Sequence, residues 1–118
     1  MNNTYLLSVL IVLTACSDVI TSDYDTLKQA KQDRLFERGW MPDILPVSTR
    51  SITVSNDLDL NTATGHFKIS VNDLQTFKQR LKPTDKVDQF VYIEDGSQWT
   101  FTVSNDGAIE YTLRQVEF

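Results

Sequence analysis

The last third of the chain constrains the fold most. From Trp99 to Val103 and from Ile109 to Leu113 apolar and polar residues alternate; the apolar run Phe90–Ile93 precedes them, with interruptions at Asp95-Gly96 and at Asn105-Asp106-Gly107. A period of two marks a strand with one buried face. Asp-Gly suits a two-residue type I′ turn, because both central positions need positive φ. That turn sets Tyr92 opposite Trp99 and Phe90 opposite Phe101. At the second interruption, a three-residue loop with Gly107 in the left-handed conformation pairs Val103 with Ile109, Phe101 with Tyr111 and Trp99 with Leu113. A loop of two or four residues would oppose Phe101 to Thr112 or Glu110 and split the apolar face. The spacing therefore predicts a three-stranded meander with Phe90, Tyr92, Trp99, Phe101 and Tyr111 on one face. Such a set forms core beneath covering helices. Left open, it would be a stacking platform for a sugar, peptidoglycan or a protein.

Upstream, Thr26-Leu27-Lys28-Gln29 reads as a capping box. Leu27, Ala30, Arg34 and Leu35 lie near one face of the helix it would start. Gly39 is placed as its C′ stop, with Pro42 shortly after. The apolar run Gly39–Pro46, broken by Pro42 and Pro46, reads as an ordered, packed loop. Arg50–Val54 alternates as a strand with Ile52 and Val54 on one side. Residues 56–65 read as a polar turn region, and His66–Val71 as a strand with Phe67, Ile69 and Val71 inward. Asn72 is placed as the cap of a second helix carrying Leu74, Phe77 and Leu81, with Pro83 at its end. Helix, strand, strand, helix and three strands predict an α+β domain. Its mainly antiparallel sheet would have about five strands with two helices packed on one face.

The chain has 118 residues and a formal charge of −5, from 16 acidic and 11 basic side chains. The basic residues are spread from Lys28 to Arg114 with no patch, which argues against a nucleic-acid partner. Residues 1–15 contain no charged side chain, and Tyr5–Leu13 is an apolar run. It is short of the roughly 20 residues that span a bilayer. It has the length of a signal-peptide h-region. Leu13-Thr14-Ala15-Cys16 follows, and Cys16 is the one cysteine.

These residues resemble the lipobox of bacterial lipoprotein precursors. The resemblance implies cleavage between Ala15 and Cys16, a diacylglyceryl thioether on Cys16, and acylation of the new amino group by a fatty chain such as palmitate. The first four residues depart from the pattern, since only the initiator amine is positive. Residues 1–15 would be the signal peptide, 16–25 a lipidated flexible tether and 26–118 a single domain. The membrane is then a partner through Cys16. Ser17 resembles the outer-membrane sorting signal of Gram-negative lipoproteins, with Asp18 one position later. In a Gram-positive cell the anchor would lie on the outer face of the plasma membrane. No thiol other than Cys16 is present to oxidise in such a compartment.

A second resemblance rests on Leu35-Phe36-Glu37-Arg38-Gly39-Trp40-Met41-Pro42-Asp43-Ile44-Leu45-Pro46, then Asp57-Leu58-Asp59-Leu60-Asn61 and Gly65-His66-Phe67. This pattern is similar to a group of small bacterial envelope proteins labelled YbbD head domain-like. The likeness covers roughly Tyr24 to Phe67. The group has no established activity, so it implies a family and no chemistry.

Few residues point to chemistry directly. Asp57, Asp59 and Asn61 place oxygen ligands at alternate positions, as at the start of a calcium loop. Thr62 and Lys68 stand where an EF-hand needs Gly and Glu, so that match fails. A turn with Asx hydrogen bonds is the competing reading. His66 is the single histidine, on the side of its strand opposite the apolar residues. Too few His and Cys ligands remain for a zinc site. Arg38 and Trp40 could form a partner contact, or Trp40 could anchor its loop to the core. The expected function is a lipid-anchored envelope module that binds or scaffolds a protein or cell-wall partner. No catalytic constellation, metal or cofactor is assigned. The alternative is a lipid-anchored inhibitor or immunity protein against a basic partner enzyme, which the acidic charge permits.

Overall fold

The structure, a computed structural model, describes residues 18–116. The lipobox and Cys16 lie outside the described residues. In chain order the elements are β1 (Val19–Thr26), α1 (Leu27–Gln32), β2 (Arg50–Asp57), β3 (Thr62–Lys68), a 3₁₀ turn (Val71–Asp73), α2 (Leu74–Gln79), β4 (Lys82–Pro83), β5 (Gln89–Glu94), β6 (Ser97–Val103) and β7 (Ala108–Gln115). All strands join one seven-stranded sheet in the order β1-β2-β3-β7-β6-β5-β4. Every pairing is antiparallel.

The C-terminal meander forms in the expected register. Phe90 pairs with Phe101 and Tyr92 with Trp99. Trp99 pairs with Leu113, Phe101 with Tyr111 and Val103 with Ile109. Asp95 and Gly96 both have positive φ, +51° and +83°, as a type I′ turn requires. Gly107 sits at φ +93° against the Ile69 carbonyl, where a Cβ would meet that oxygen at 2.3 Å.

The expected sheet of about five strands with two helices packed on one face is overturned in both counts. Two strands escaped the pattern. Residues 19–25 were expected within a flexible tether, yet they form most of β1. As an edge strand β1 buries only Tyr24, so its sequence carries almost no apolar alternation. β4 has two residues, too few for any periodicity. The helices are six residues each. α1 does not run on to Gly39. It ends in a Schellman arrangement, with the Leu35 amide on the Ala30 carbonyl and the Arg34 amide on the Lys31 carbonyl. Arg34 takes the left-handed position at φ +60°. A second such turn closes at Gly39, with the Trp40 amide on Leu35 and the Gly39 amide on Phe36. The tandem turns swing Leu35 and Met41 fully into the core, which a straight helix would not allow.

The first helix is capped as expected at one end of the capping box. Thr26 Oγ1 accepts from the Gln29 amide at 3.2 Å. Gln29 Oε1 accepts from Asp25 rather than from the cap residue. At α2 the N-cap is Asp73, which makes no side-chain cap bond, and the side-chain cap belongs to the preceding 3₁₀ turn. Ser70, not Asn72, supplies the oxygen, accepting from the Asn72 amide. Val71, expected inward, is exposed.

One sheet face carries the core. Ile52, Val54, Phe67, Trp99, Phe101, Val103, Ile109, Tyr111 and Leu113 are all buried there. Phe77 of α2 packs edge-on against Phe67 and Phe101, with centroids 6.2 and 5.3 Å away. Such pairs contribute about 0.5–1.5 kcal/mol each beyond area burial. The long segment 33–49 covers the rest. Trp40 is half-buried in it, and its carbonyl accepts from Trp99 Nε1 at 3.1 Å.

Gly65 marks the tightest approach. A Cβ there would lie 2.2 Å from the Thr53 carbonyl oxygen and under 3 Å from the Tyr111 ring and hydroxyl. The backbone side of that contact cannot yield as a flexible side chain would. Gly65→Ala is expected to destabilise the domain by about 1–3 kcal/mol. A lowered urea midpoint, with unchanged slope, checks this.

Candidate functional site

The alternation that buries one sheet face exposes its complement. Thr53 and Ser55 of β2, Thr64 and His66 of β3, Thr100 and Thr102 of β6, and Glu110 and Thr112 of β7 all project from the opposite face. β-branched threonine suits such a pleated surface and leaves its hydroxyl outward. The registers align these residues in two rows. One runs Thr53, His66, Glu110, Thr102 and Gln89 across five strands. The other runs Ser55, Thr64, Thr112 and Thr100. Together they line an open concavity of about 510 Å³.

Strand chemistry sets the spacing. The Ile69 amide donates to the Gly107 carbonyl, so Ile69 and Gly107 are a hydrogen-bonded position of the β3–β7 ladder. Antiparallel alternation then makes His66–Glu110 and Thr64–Thr112 non-hydrogen-bonded pairs, with Cα atoms about 4.5 Å apart and side chains close. His66 and Glu110 therefore stand side by side at the centre of the face, both exposed. Polar contacts brace the β1 side. Thr53 Oγ1 donates to Asp23 Oδ1 at 2.7 Å, and the Thr21 and Ser55 hydroxyls share a hydrogen bond of 2.8 Å. Each hydroxyl can both donate and accept, and Gln89 adds an amide. The set is equipped for hydrogen-bond recognition over a broad area.

Beneath the face lies an unmatched group. Tyr111 pairs with Gly65, and its ring covers the space a side chain there would fill. Its hydroxyl is buried without a hydrogen-bond partner, as is Asn56 Oδ1. Burial, with a smaller contribution from nearby Tyr24, holds the Tyr111 phenol far above its ordinary pKa.

The residues singled out by sequence are dispersed. Asp57, Asp59 and Asn61 lie at the β2–β3 turn. Asp57 Oδ1 accepts from the Asp59 and Leu60 amides, each at 3.1 Å. That is an Asx arrangement whose carboxylate serves the backbone. Asn61 has φ +56°, and its carbonyl accepts from Gln115 Nε2. A hydrogen bond with Asp18, then the charge of that carboxylate, raises the Asp59 pKa. Among the described residues no group of three or more His, Cys, Asp or Glu side chains is placed to hold a metal ion. Arg38 and Trp40 make separate contacts. Arg38 is exposed and bonds Asp33 at 3.3 Å, where the Tyr24 hydroxyl also donates. Trp40 anchors the 33–49 segment to Trp99. His66 faces outward, on the side expected of it.

The polar rows went unremarked in the sequence, although their signal is present. Thr53, Ser55, Thr100, Thr102 and Thr112 occupy the polar positions of the same alternation that identifies the core.

Tyr111 yields a pH prediction. Its native pKa is raised, so the folded state holds the phenolic proton more tightly than the unfolded chain. The stability this confers is complete below about pH 10, the unfolded value, and is lost as pH rises above it. Tyr111→Phe removes a buried unpartnered hydroxyl. The variant is expected to match or exceed wild-type stability at pH 7 and to lose less between pH 9 and 11 (about the span of tyrosine titration). Urea unfolding across that range measures both.

Comparison with known proteins adds one finding. Residues 18–68 match the family model of the YbbD head domain, in agreement with the likeness carried by Arg38-Gly39-Trp40-Met41-Pro42. The matched segment spans β1, α1, β2 and β3 and ends at Lys68. No curated protein and no solved structure matches the chain.

Proposed function

We propose that the protein is a small lipid-anchored module of the bacterial envelope, held through Cys16, that works by binding a polar partner on the open face of its sheet. One observation carries the reading. A single sheet has one face sealed by buried aromatics and the other left open, five strands wide and lined by hydroxyls, His66, Gln89 and Glu110. A sheet that needed only stability could place any soluble residues there. Two register-aligned rows, one of hydroxyl side chains and one that mixes hydroxyls with His66, Glu110 and Gln89, instead form a continuous polar concavity, suited to a cell-wall or protein surface rich in hydrogen-bonding groups. The anchor supports the same role, because a tethered module meets its partner at high effective concentration.

The test uses a photo-crosslinking residue at Thr112, on the open face, or at Lys31, on the exposed side of α1. The full chain is expressed with its own leader, and adducts are captured from envelope fractions. Discrete adducts from Thr112 and none from Lys31 are expected. Equal capture from both positions would contradict binding by this face. Cys16→Ser is expected to release the protein from the membrane fraction. Unchanged partition would contradict the anchor.

A further inference from the structure

Among the described residues, eight large hydrophobic side chains stand exposed, and four of them, Val19, Ile20, Leu58 and Leu60, gather at one end of the sheet. The register brings them together. Val19 pairs with Asp57 and Ile20 with Asn56. The Leu58 amide donates to the Asp18 carbonyl at 3.1 Å. Leu60, 68% exposed, occupies the same β2–β3 turn. Val19 and Ile20 are adjacent on β1 and point to opposite faces of the sheet, so with Leu58 and Leu60 they surround its end rather than cover one face, a concentration that scattered surface hydrophobics do not show.

The bond at Asp18 also shortens the leash. Asp18 follows Cys16 by two residues, which reach at most about 7 Å. A chain lipidated at Cys16 therefore cannot hold this end of the sheet away from the bilayer. Asp18, Asp57 and Asp59 flank the apolar group. Their charge complements ammonium headgroups and opposes anionic ones. No helix of the described residues is long and apolar enough to cross a membrane.

We propose that Val19, Ile20, Leu58 and Leu60 form a membrane seat that rests in the interface of a bilayer rich in zwitterionic, ammonium-bearing headgroups, with the strands rising from it. The inference rests on the lipidation of Cys16 put forward above. The seat leaves the polar sheet face standing clear of the surface and open from the side.

Nitroxide labels test it on the full lipidated chain. Cys16 is the one cysteine and is acylated, so Leu60→Cys and Val87→Cys each present a single free thiol. Val87 is exposed and lies at the far end of the sheet. There the Asp88 carbonyl accepts from Val103, where β6 finishes. On vesicles of phosphatidylethanolamine and phosphatidylcholine, the label at 60 is expected to lose collisions with a water-soluble nickel complex and gain them with oxygen. The label at 87 is expected to stay aqueous. Replacing phosphatidylethanolamine by phosphatidylglycerol is expected to return the label at 60 to water. Intact mass establishes lipidation on the same samples. A lipidated protein whose label at 60 stays aqueous on the first vesicles overturns the seat and leaves the anchor standing. Equal shielding on both vesicle types overturns the headgroup assignment. An unmodified Cys16 overturns seat and anchor together.

Discussion

The pairing of β3 with β7 is the joint on which the rest depends. It joins two antiparallel groups of strands, β1-β2-β3 and β4-β5-β6-β7. Each alone would leave the backbone N–H and C=O groups of its inner edge strand unpaired. Six consecutive residue pairs, Ala63–Leu113 to Lys68–Ala108, close that edge. They also bring Phe67 against Phe101 and Tyr111, at 6.3 and 6.2 Å between ring centroids. Phe77 from α2 then caps the aromatic group from above. The joint is long-range in sequence, so its closure entropy must be met before its contacts form. The match to the YbbD head domain stops at Lys68, on the near side of this joint. The head segment therefore lends three strands and the 33–49 cover to a sheet completed by the rest of the chain.

The same joint makes the polar face. His66 and Glu110, and Thr64 and Thr112, become neighbours only across it. One register thus sets both the core and the candidate site, since a one-residue slip would exchange the two faces. Gly65 shows how little slack the joint has. The Tyr111 ring and the Thr53 carbonyl both press on the place of its missing side chain. The Tyr111 ring fills the gap that glycine leaves, and its hydroxyl is buried there without a hydrogen-bond partner.

What the sequence revealed follows burial. β6 and β7 lie inside the sheet, bury alternate residues throughout, and could be read down to their pairing. The turns beside them were legible because Asp95-Gly96 and Gly107 supply the left-handed positions those turns require. β1 lies at the edge and buries one side chain, so Val-Ile-Thr-Ser-Asp-Tyr-Asp-Thr looked like solvated chain. The end of α1 was hidden because Arg34, a good helix former, takes a left-handed conformation. The reason is tertiary, since Leu35 and Met41 must reach the core. The His66 side was readable from Phe67 beside it. The site as a whole was not, because it is built from threonines on four strands that only the fold assembles. The anchor stands apart, read from the first sixteen residues and not from any packing.

The most direct measurement is the set of Hα–Hα nuclear Overhauser effects across the central joint of the isotopically labelled protein. The account predicts strong cross-peaks between His66 and Glu110 and between Thr64 and Thr112, the non-hydrogen-bonded pairs of this ladder. Absence of both, or cross-peaks displaced by one residue to Ile109 or Tyr111, would contradict the single sheet and the polar face built on it.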